Sequence, residues 1–291
     1  WWIHSSTQHP GEVQHWVAHA LGIDNHAVTV QCRRMGGGFG GKETQAGHLA
    51  VWSAVAAHKF GAPVKLRLDR DDDFMVTGKR HPFAYDYEVG FDARGRITAL
   101  VLSMFVNCGF SADLSGPVAD RAVFHCDNAY FLENVQVASY RCKTNTQSHT
   151  AFRGFGGPQG VIAIERILGD IARALGLDAF DVRMANLYSD EPLAGGGKRD
   201  TTHYQMQVED NILHALMPQL EQTCNYRARA AEIAAWNVRQ TALRRGIAIT
   251  PVKFGISFTA TLLIGAAQLV IFLLIALTLS TLDLGSSMAG S

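Results

Sequence analysis

Two glycine-rich stretches carry the residues best suited to chemistry. One is Met35-Gly36-Gly37-Gly38-Phe39-Gly40-Gly41-Lys42-Glu43-Thr44, the other Thr150-Ala151-Phe152-Arg153-Gly154-Phe155-Gly156-Gly157-Pro158-Gln159-Gly160. Each sets phenylalanine among glycines and stands before a segment with helical character. Glycine reaches positive φ and lets the backbone approach a ligand closely. The first N–H groups of a helix, unpaired within it, attract anions. Both stretches therefore read as backbone cradles for an anionic group with an aromatic ring held against it. Gly36-x-Gly38-x-x-Gly41 also matches a dinucleotide fingerprint, but that pattern needs a βαβ unit and an acidic residue about 20 positions on. The G-x-x-x-x-G-K-[ST] phosphate loop is absent. Either stretch alone is equally well explained as a structural turn; the pair is the specific signal.

The side chains around these cradles add polarity. Glu43 stands at the mouth of the helix that follows the first stretch. Arg121 opens Arg121-Ala122-Val123-Phe124-His125, where an arginine on its own is ordinarily a surface charge. Aromatic walls with a carboxylate and a guanidinium suit a flat heteroaromatic ring carrying several N and O atoms, because arginine is always charged and forks two hydrogen bonds. An aliphatic aldehyde would leave both charged groups unpaired.

The two stretches together resemble the molybdenum-binding part of the molybdenum hydroxylases, and among these the xanthine dehydrogenases. Gly78-Lys79-Arg80-His81-Pro82-Phe83, Asp120-Arg121-Ala122-Val123-Phe124-His125 and Lys253-Phe254-Gly255-Ile256-Ser257-Phe258-Thr259 extend the likeness, which runs from about residue 6 to 259. The resemblance implies an α+β fold and a molybdenum–molybdopterin cofactor touched by Gly38, Phe39, Gly40 and the backbone at Arg153, with no side chain ligating the metal. It implies that Phe155 and Phe258 sandwich a purine, that Glu43 and Arg121 orient it and take part in catalysis, and that Thr259 adds a hydrogen bond. The implied reaction is hydroxylation of hypoxanthine and xanthine to urate, with electrons leaving through [2Fe-2S] clusters and FAD held on other domains or subunits. Aldehyde oxidases, near relatives, typically lack the Glu/Arg pair. The resemblance also places the general-base glutamate and further cofactor loops outside these residues, so the chain by itself is expected to be inactive. Two other readings stay open: a molybdenum hydroxylase acting on an aldehyde or another heterocycle, and an inactive remnant, membrane-tethered or structural.

The elements that must position these residues follow from periodicity. Val13, Trp16, Val17, Ala20 and Leu21 form one stripe of a helix over 10–21, closed by Gly22. Val28, Val30 and Cys32 alternate with polar residues as a strand feeding the first cradle. An Ala- and Leu-rich helix is expected over 44–60, then a strand in which Val64, Leu66 and Leu68 alternate with Lys65 and Arg67. Asp71-Asp72-Asp73 reads as a solvated turn. Residues 83–91 and 96–106 form a hairpin around Asp92-Ala93-Arg94-Gly95. Residues 109–117 read as a loop, and Val135, Val137 and Ser139 as a strand. Ile164, Ile167, Leu168, Ile171 and Leu175 stripe a helix over 161–175, and another starts at Asp178. Gly195-Gly196-Gly197 is a flexible joint; residues 1–195 are expected to form a first subdomain and 196–291 the start of a second. Ile212, Leu213, Leu216 and Leu220 stripe a further helix, Ala228–Leu243 another, and 246–250 returns to strand character.

Composition narrows the class. Lys+Arg and Asp+Glu are both 26, so no basic field for nucleic acid exists. The five cysteines include no C-x-x-C, which argues against a disulfide framework and an iron–sulfur cluster in this chain and fits a reducing cytoplasm. His15 and His19 have zinc spacing but no third ligand, and read as a polar face. The start lacks an initiator Met and a signal sequence, as expected for a piece of something longer. Residues 262–282 are almost wholly apolar and long enough to span a bilayer, though the flanks carry no aromatic belt. An altered sequence after Thr259, a buried apolar hairpin and a membrane helix remain three readings of this tail.

Overall fold

The computed structural model describes residues 1–240 and 242–255. Phe258, Thr259 and the apolar tail lie outside the described residues. Contacts group Trp1–Lys253 into one unit, and the description below concerns that unit.

Its first layer begins with strand β1 (Trp2–His4) and helix α1 (Pro10–Leu21). The α1 start is fixed by His9, whose ring Nδ1 accepts the Glu12 amide at 3.3 Å, and by Pro10 in the first turn, where no amide is missed. Its end is Gly22 at φ 65, the left-handed cap that the sequence anticipated. Strand β2 (Thr29–Gln31) pairs parallel with β1. Helix α2 (Gly47–Phe60) packs Ala50 and Ala54 against Val13, Val17 and Ala18 of α1. Gly47 is needed there, since a Cβ would meet the Trp16 ring at 1.9 Å. Helix α2 thus starts three residues later than the alanine-rich pattern suggested.

The next stretch departs from expectation. Residues 64–68 form no strand, and the acidic run lies inside a short helix, α3 (Arg70–Val76). Asp69 caps α3 by accepting the Asp72 amide at 2.9 Å, and acidic residues in a first turn are favoured by the helix dipole. The three aspartates are therefore a helix start rather than a turn.

Strands β3 (Phe83–Phe91) and β4 (Ile97–Gly109) make the expected antiparallel hairpin. Strand β5 (Val135–Lys143) then pairs with the far edge of β4, parallel to it. Parallel pairing demands a crossover, and helix α4 (Ser115–Phe124) provides it; the loop expected over 109–117 gives way to this helix at Ser115. Helix α5 (Gly157–Leu175) lies on the sheet, with Ile164, Ile167, Leu168 and Ile171 buried against Leu100, Leu102 and Met104 of β4. Full burial of each such side chain contributes about 1.5–3 kcal/mol, so this stripe is the main apolar anchor of the unit. Helix α6 (Ala179–Asn186) follows, capped by Asp178.

Helices α7 (Leu213–Thr223) and α8 (Tyr226–Arg239) complete the described elements. The α7 stripe is not the buried face: Ile212, Leu216 and Leu220 are exposed, and Met217 enters the core instead. Residues 246–250 form no strand, although Ile249 is buried. Among the described residues no helix is long and apolar enough to cross a membrane, and no three metal-ligating side chains converge.

Candidate cofactor and substrate site

The two glycine stretches, more than a hundred residues apart in sequence, share one backbone signature. Phe39 stands at φ 54 and Gly40 at φ 94; Phe155 stands at φ 49 and Gly156 at φ 93. A non-glycine residue at positive φ is uncommon, costs on the order of 1–3 kcal/mol, and persists only where its surroundings enforce it. Here they do. A Cβ on Gly40 would lie 2.9 Å from the Ala151 carbonyl carbon, and one on Gly156 2.0 Å from the Val118 oxygen. The first contact presses one stretch against the other. The second presses the start of α5 onto α4.

Polar ties hold the same juxtaposition. The Thr44 and Thr150 hydroxyls are 3.1 Å apart. Asp113, just before α4, accepts from Thr44 Oγ1 at 3.0 Å and from Gln45 Nε2 at 2.9 Å. Gln45 Oε1 accepts the Gly78 amide at 2.6 Å. Underneath the first stretch, Gln8 Oε1 accepts the amides of Gly40 at 2.9 Å and Lys42 at 3.2 Å. A Cβ on Gly38 would strike this Gln8 side chain at 2.3 Å. Beside the second stretch, Arg80 donates from Nη2 to the Arg153 carbonyl at 2.7 Å and lies over the Phe152 ring at 4.6 Å.

Both stretches carry runs of amides left unpaired within the protein. Among the described residues, the N–H groups of Gly36, Gly37, Gly38 and Phe39, and those of Phe152, Arg153 and Gly154, form no hydrogen bond within the protein. Phe39 and Arg153 are exposed. Such runs of donors suit an anionic group with several acceptor oxygens, so the cradles fit a molybdopterin.

The substrate candidates fall on both sides of α4. Arg121 is buried within α4, and burial lowers its pKa from the ordinary arginine value; arginine still carries its charge there. Phe155 is buried against Val118, one turn before Arg121, with Leu114 and Ala151 nearby. Glu43 is half-buried near Asp113, at the other end of α4. Its pKa is raised, first by burial and then by the Asp113 carboxylate, with His9 opposing. Burial also raises Asp113, against the hydrogen bonds it accepts. From Ser115 to Arg121 the helix advances about 9 Å, so Arg121 stands that far along α4, whereas Glu43 neighbours Asp113, just before α4 begins. Phe258 and Thr259 lie outside the described residues.

Sequence reading missed Gln8, Asp113 and the role of Arg80. Arg80 sits in a quoted motif, but its contact with Arg153 spans 73 residues. Gln8 is an ordinary helix-preceding polar residue whose place beneath the loop only the fold reveals. Asp113 carries a local signal, a left-handed φ of 40, which sequence does not display.

A family model described as "Molybdopterin cofactor-binding domain" matches residues 1–187. The xanthine dehydrogenase of Drosophila subobscura is 44% identical over 253 residues, covering 87% of this chain and 18% of that protein. The xanthine dehydrogenase/oxidase of Gallus gallus is 44% identical over 265 residues, covering 91% of this chain and 19% of that protein. The chain thus spans about a fifth of the length of the curated relatives it matches. Among solved structures, quinoline 2-oxidoreductase from Pseudomonas putida 86 superposes with a TM-score of 0.66 at 25% identity, covering 81% of this chain and 30% of that chain.

Proposed function

The chain belongs to the molybdopterin cofactor-binding domain family, and from that membership we propose that it forms the cofactor- and purine-binding part of an enzyme that hydroxylates hypoxanthine and xanthine to urate. The observation that carries the reading is the abutment of the two cradles at Gly40 and Ala151, which brings their unpaired amides together. The names of the relatives support the substrate class.

In this reading the amides of Gly38 and Phe39, with Gly40 turning the backbone beside them, and the backbone at Arg153 hold the molybdenum–molybdopterin, and the Phe39 ring lies against it. When bound, that group supplies the oxidation of the ring carbon. Phe155 and Phe258 cover the two faces of the purine and keep water from it. Thr259 donates or accepts one further hydrogen bond. Arg121, desolvated within α4, faces negative charge that builds on the purine oxygen, where an oriented cation is worth more than in water. Glu43, with its raised pKa, keeps a proton to a higher pH than an exposed glutamate and can donate it to a ring nitrogen. Electrons leave by [2Fe-2S] and FAD domains beyond these residues. A second subdomain begins near Gly195-Gly196-Gly197. The five described cysteines are all free, which supports a reducing, cytoplasmic setting.

The test is Arg121→Ala in the complete enzyme. Loss of one charged stabiliser is expected to lower kcat on xanthine by about 10²–10³-fold with molybdenum and pterin content unchanged. Full turnover of that variant would remove Arg121 from the mechanism.

A further inference from the structure

Residues 62–68 carry a strand pattern without a sheet. Val64, Leu66 and Leu68 alternate with Lys65 and Arg67, yet Val64 is 39% and Leu66 41% exposed. Among the described residues, the backbone of 62–68 forms no hydrogen bond. Across from it lies the outer edge of β1. Trp1 and Ser5 spend their backbone groups on β2, through Thr29 N to Trp1 O at 2.9 Å and Ser5 N to Gln31 O at 3.2 Å. Strand alternation then turns the N–H and C=O of Trp2 and His4 to the opposite edge. Between these two open edges runs a groove of about 1630 Å³. Its floor includes Leu49, Ser53, Ala54 and Ala57 of α2, and one end reaches Gly38 and Gly41 of the first cradle.

The dimensions and chemistry select the occupant. Small-molecule pockets usually hold about 300–1,000 Å³, and this groove is larger. A small ligand would also leave two facing rows of backbone groups unsatisfied, and a helix pairs with neither row because its own backbone is satisfied internally. A β-strand satisfies both at once, since each of its edges carries alternating donors and acceptors. A second copy of this chain fits poorly. Among the described residues its one comparable segment is 62–68 itself, and joining two of these would leave each β1 edge open. The curated relatives carry about four-fifths of their length outside the matched region, which is ample polypeptide for a strand.

We propose that the groove seats one β-strand contributed by the remainder of the enzyme. It pairs with Trp2–His4 on one side and with 64–68 on the other. The result is a four-element layer, β2–β1–strand–(64–68), covering α2, with apolar side chains of the new strand packed on the small residues of that helix. The strand ends against Gly38 and Gly41, so its docking also orders the first cradle. The inference rests on the proposed function only in taking the chain as part of a longer enzyme, and its test requires neither molybdenum nor turnover.

Amide hydrogen exchange decides it, measured on the complete enzyme and on the separately expressed 291-residue chain. In the complete enzyme, the amides of 64–68 are expected to exchange at least ~100-fold more slowly than unstructured peptide, as paired strand amides do. In the separate chain the same amides are expected to exchange freely while β3 and β4 stay protected. Free exchange of 64–68 in the complete enzyme, beside protected β3 and β4, overturns the proposal whether or not the separate chain folds. Protection in the separate chain that rises with concentration assigns the groove to a second copy and overturns it too. Leu66→Pro in the complete enzyme removes one ladder donor and is expected to speed exchange at Trp2–His4 and at Gly38–Lys42. No change at those amides counts against a shared strand.

Discussion

Gly40 and Ala151 lie so close that a Cβ added to Gly40 would sit 2.9 Å from the Ala151 carbonyl carbon. Two segments separated by most of the described strands meet there, backbone to backbone. Gly40→Ala adds that Cβ at φ 94, where an L-residue is strained for about 1–3 kcal/mol. The expected outcome is a complete enzyme that loses molybdenum and pterin content out of proportion to its fall in unfolding midpoint. Metal analysis beside urea denaturation checks it; unchanged cofactor content would show that the abutment is not what holds the cradle.

Helices α4 and α5 touch through another glycine. A Cβ on Gly160 would lie 2.3 Å from the Ala122 oxygen, whereas one on Gly169 meets only the far end of Arg173 at 3.8 Å. Gly169→Ala should therefore stabilise by about 0.5–1 kcal/mol, the ordinary gain in a helix interior. Gly160→Ala should destabilise by about 1–3 kcal/mol through overpacking. The opposite signs, read as shifts of denaturation midpoint, isolate the interhelical contact from helix propensity.

Asp127 is fully buried, accepts from the Tyr188 hydroxyl at 2.6 Å and pairs with Lys253. The neighbouring Asn128 holds the same segment, donating to Pro251 O at 2.9 Å and accepting the Lys253 amide at 3.0 Å. Lys253→Met strands the carboxylate and is expected to cost about 3–5 kcal/mol. Asp127→Asn combined with Lys253→Met should recover much of that loss. A double-mutant cycle in urea provides the check, and additive losses would show that the pair is not coupled.

His81 is buried, with its Nε2 2.8 Å from Ser115 Oγ, and its pKa falls to about 4, chiefly through burial and then through His149. The unfolded chain, with an ordinary histidine pKa near 6.5, takes up the proton first. Stability from keeping His81 neutral is complete above pH about 6.5 and is lost progressively as pH falls toward 4. His149 is also lowered by burial and adds to the same slope. His81→Gln should flatten stability against pH across that window in chemical denaturation; an unchanged slope would assign it to other groups.

Glu43 tests the substrate class. Removing its carboxylate as Glu43→Val in the complete enzyme should lower kcat/KM on xanthine by about 10²–10⁴-fold, as for a lost hydrogen-bonding group in a site built around it. Turnover of benzaldehyde should hold or rise, because a buried polar group no longer lacks a partner. Equal losses on both substrates would point to a structural role beside Asp113.

The sequence by itself determined the local chemistry. The glycines of each cradle permit left-handed turns, Gly22 ends α1, and the apolar stripe of 164–171 chooses the face α5 buries, because these depend on φ preference and side-chain periodicity within a few residues; the positive φ of Phe39 and Phe155 runs against local preference and comes from the fold. Arg121, Glu43 and Phe155 are grouped as a set by resemblance alone, not by spacing. Tertiary structure decided what those rules do not reach. Residues 64–68 have strand periodicity but no hydrogen-bonding partner among the described elements, and periodicity does not supply one. Strand β5 joined β4 in parallel because α4 crosses over. Gln8, Arg80 and Asp113 became parts of the site because the fold closed separations of 32 and 73 residues, and of 69 residues from Thr44 to Asp113. Closing such distances depends on packing of the whole unit, which no short window of residues encodes.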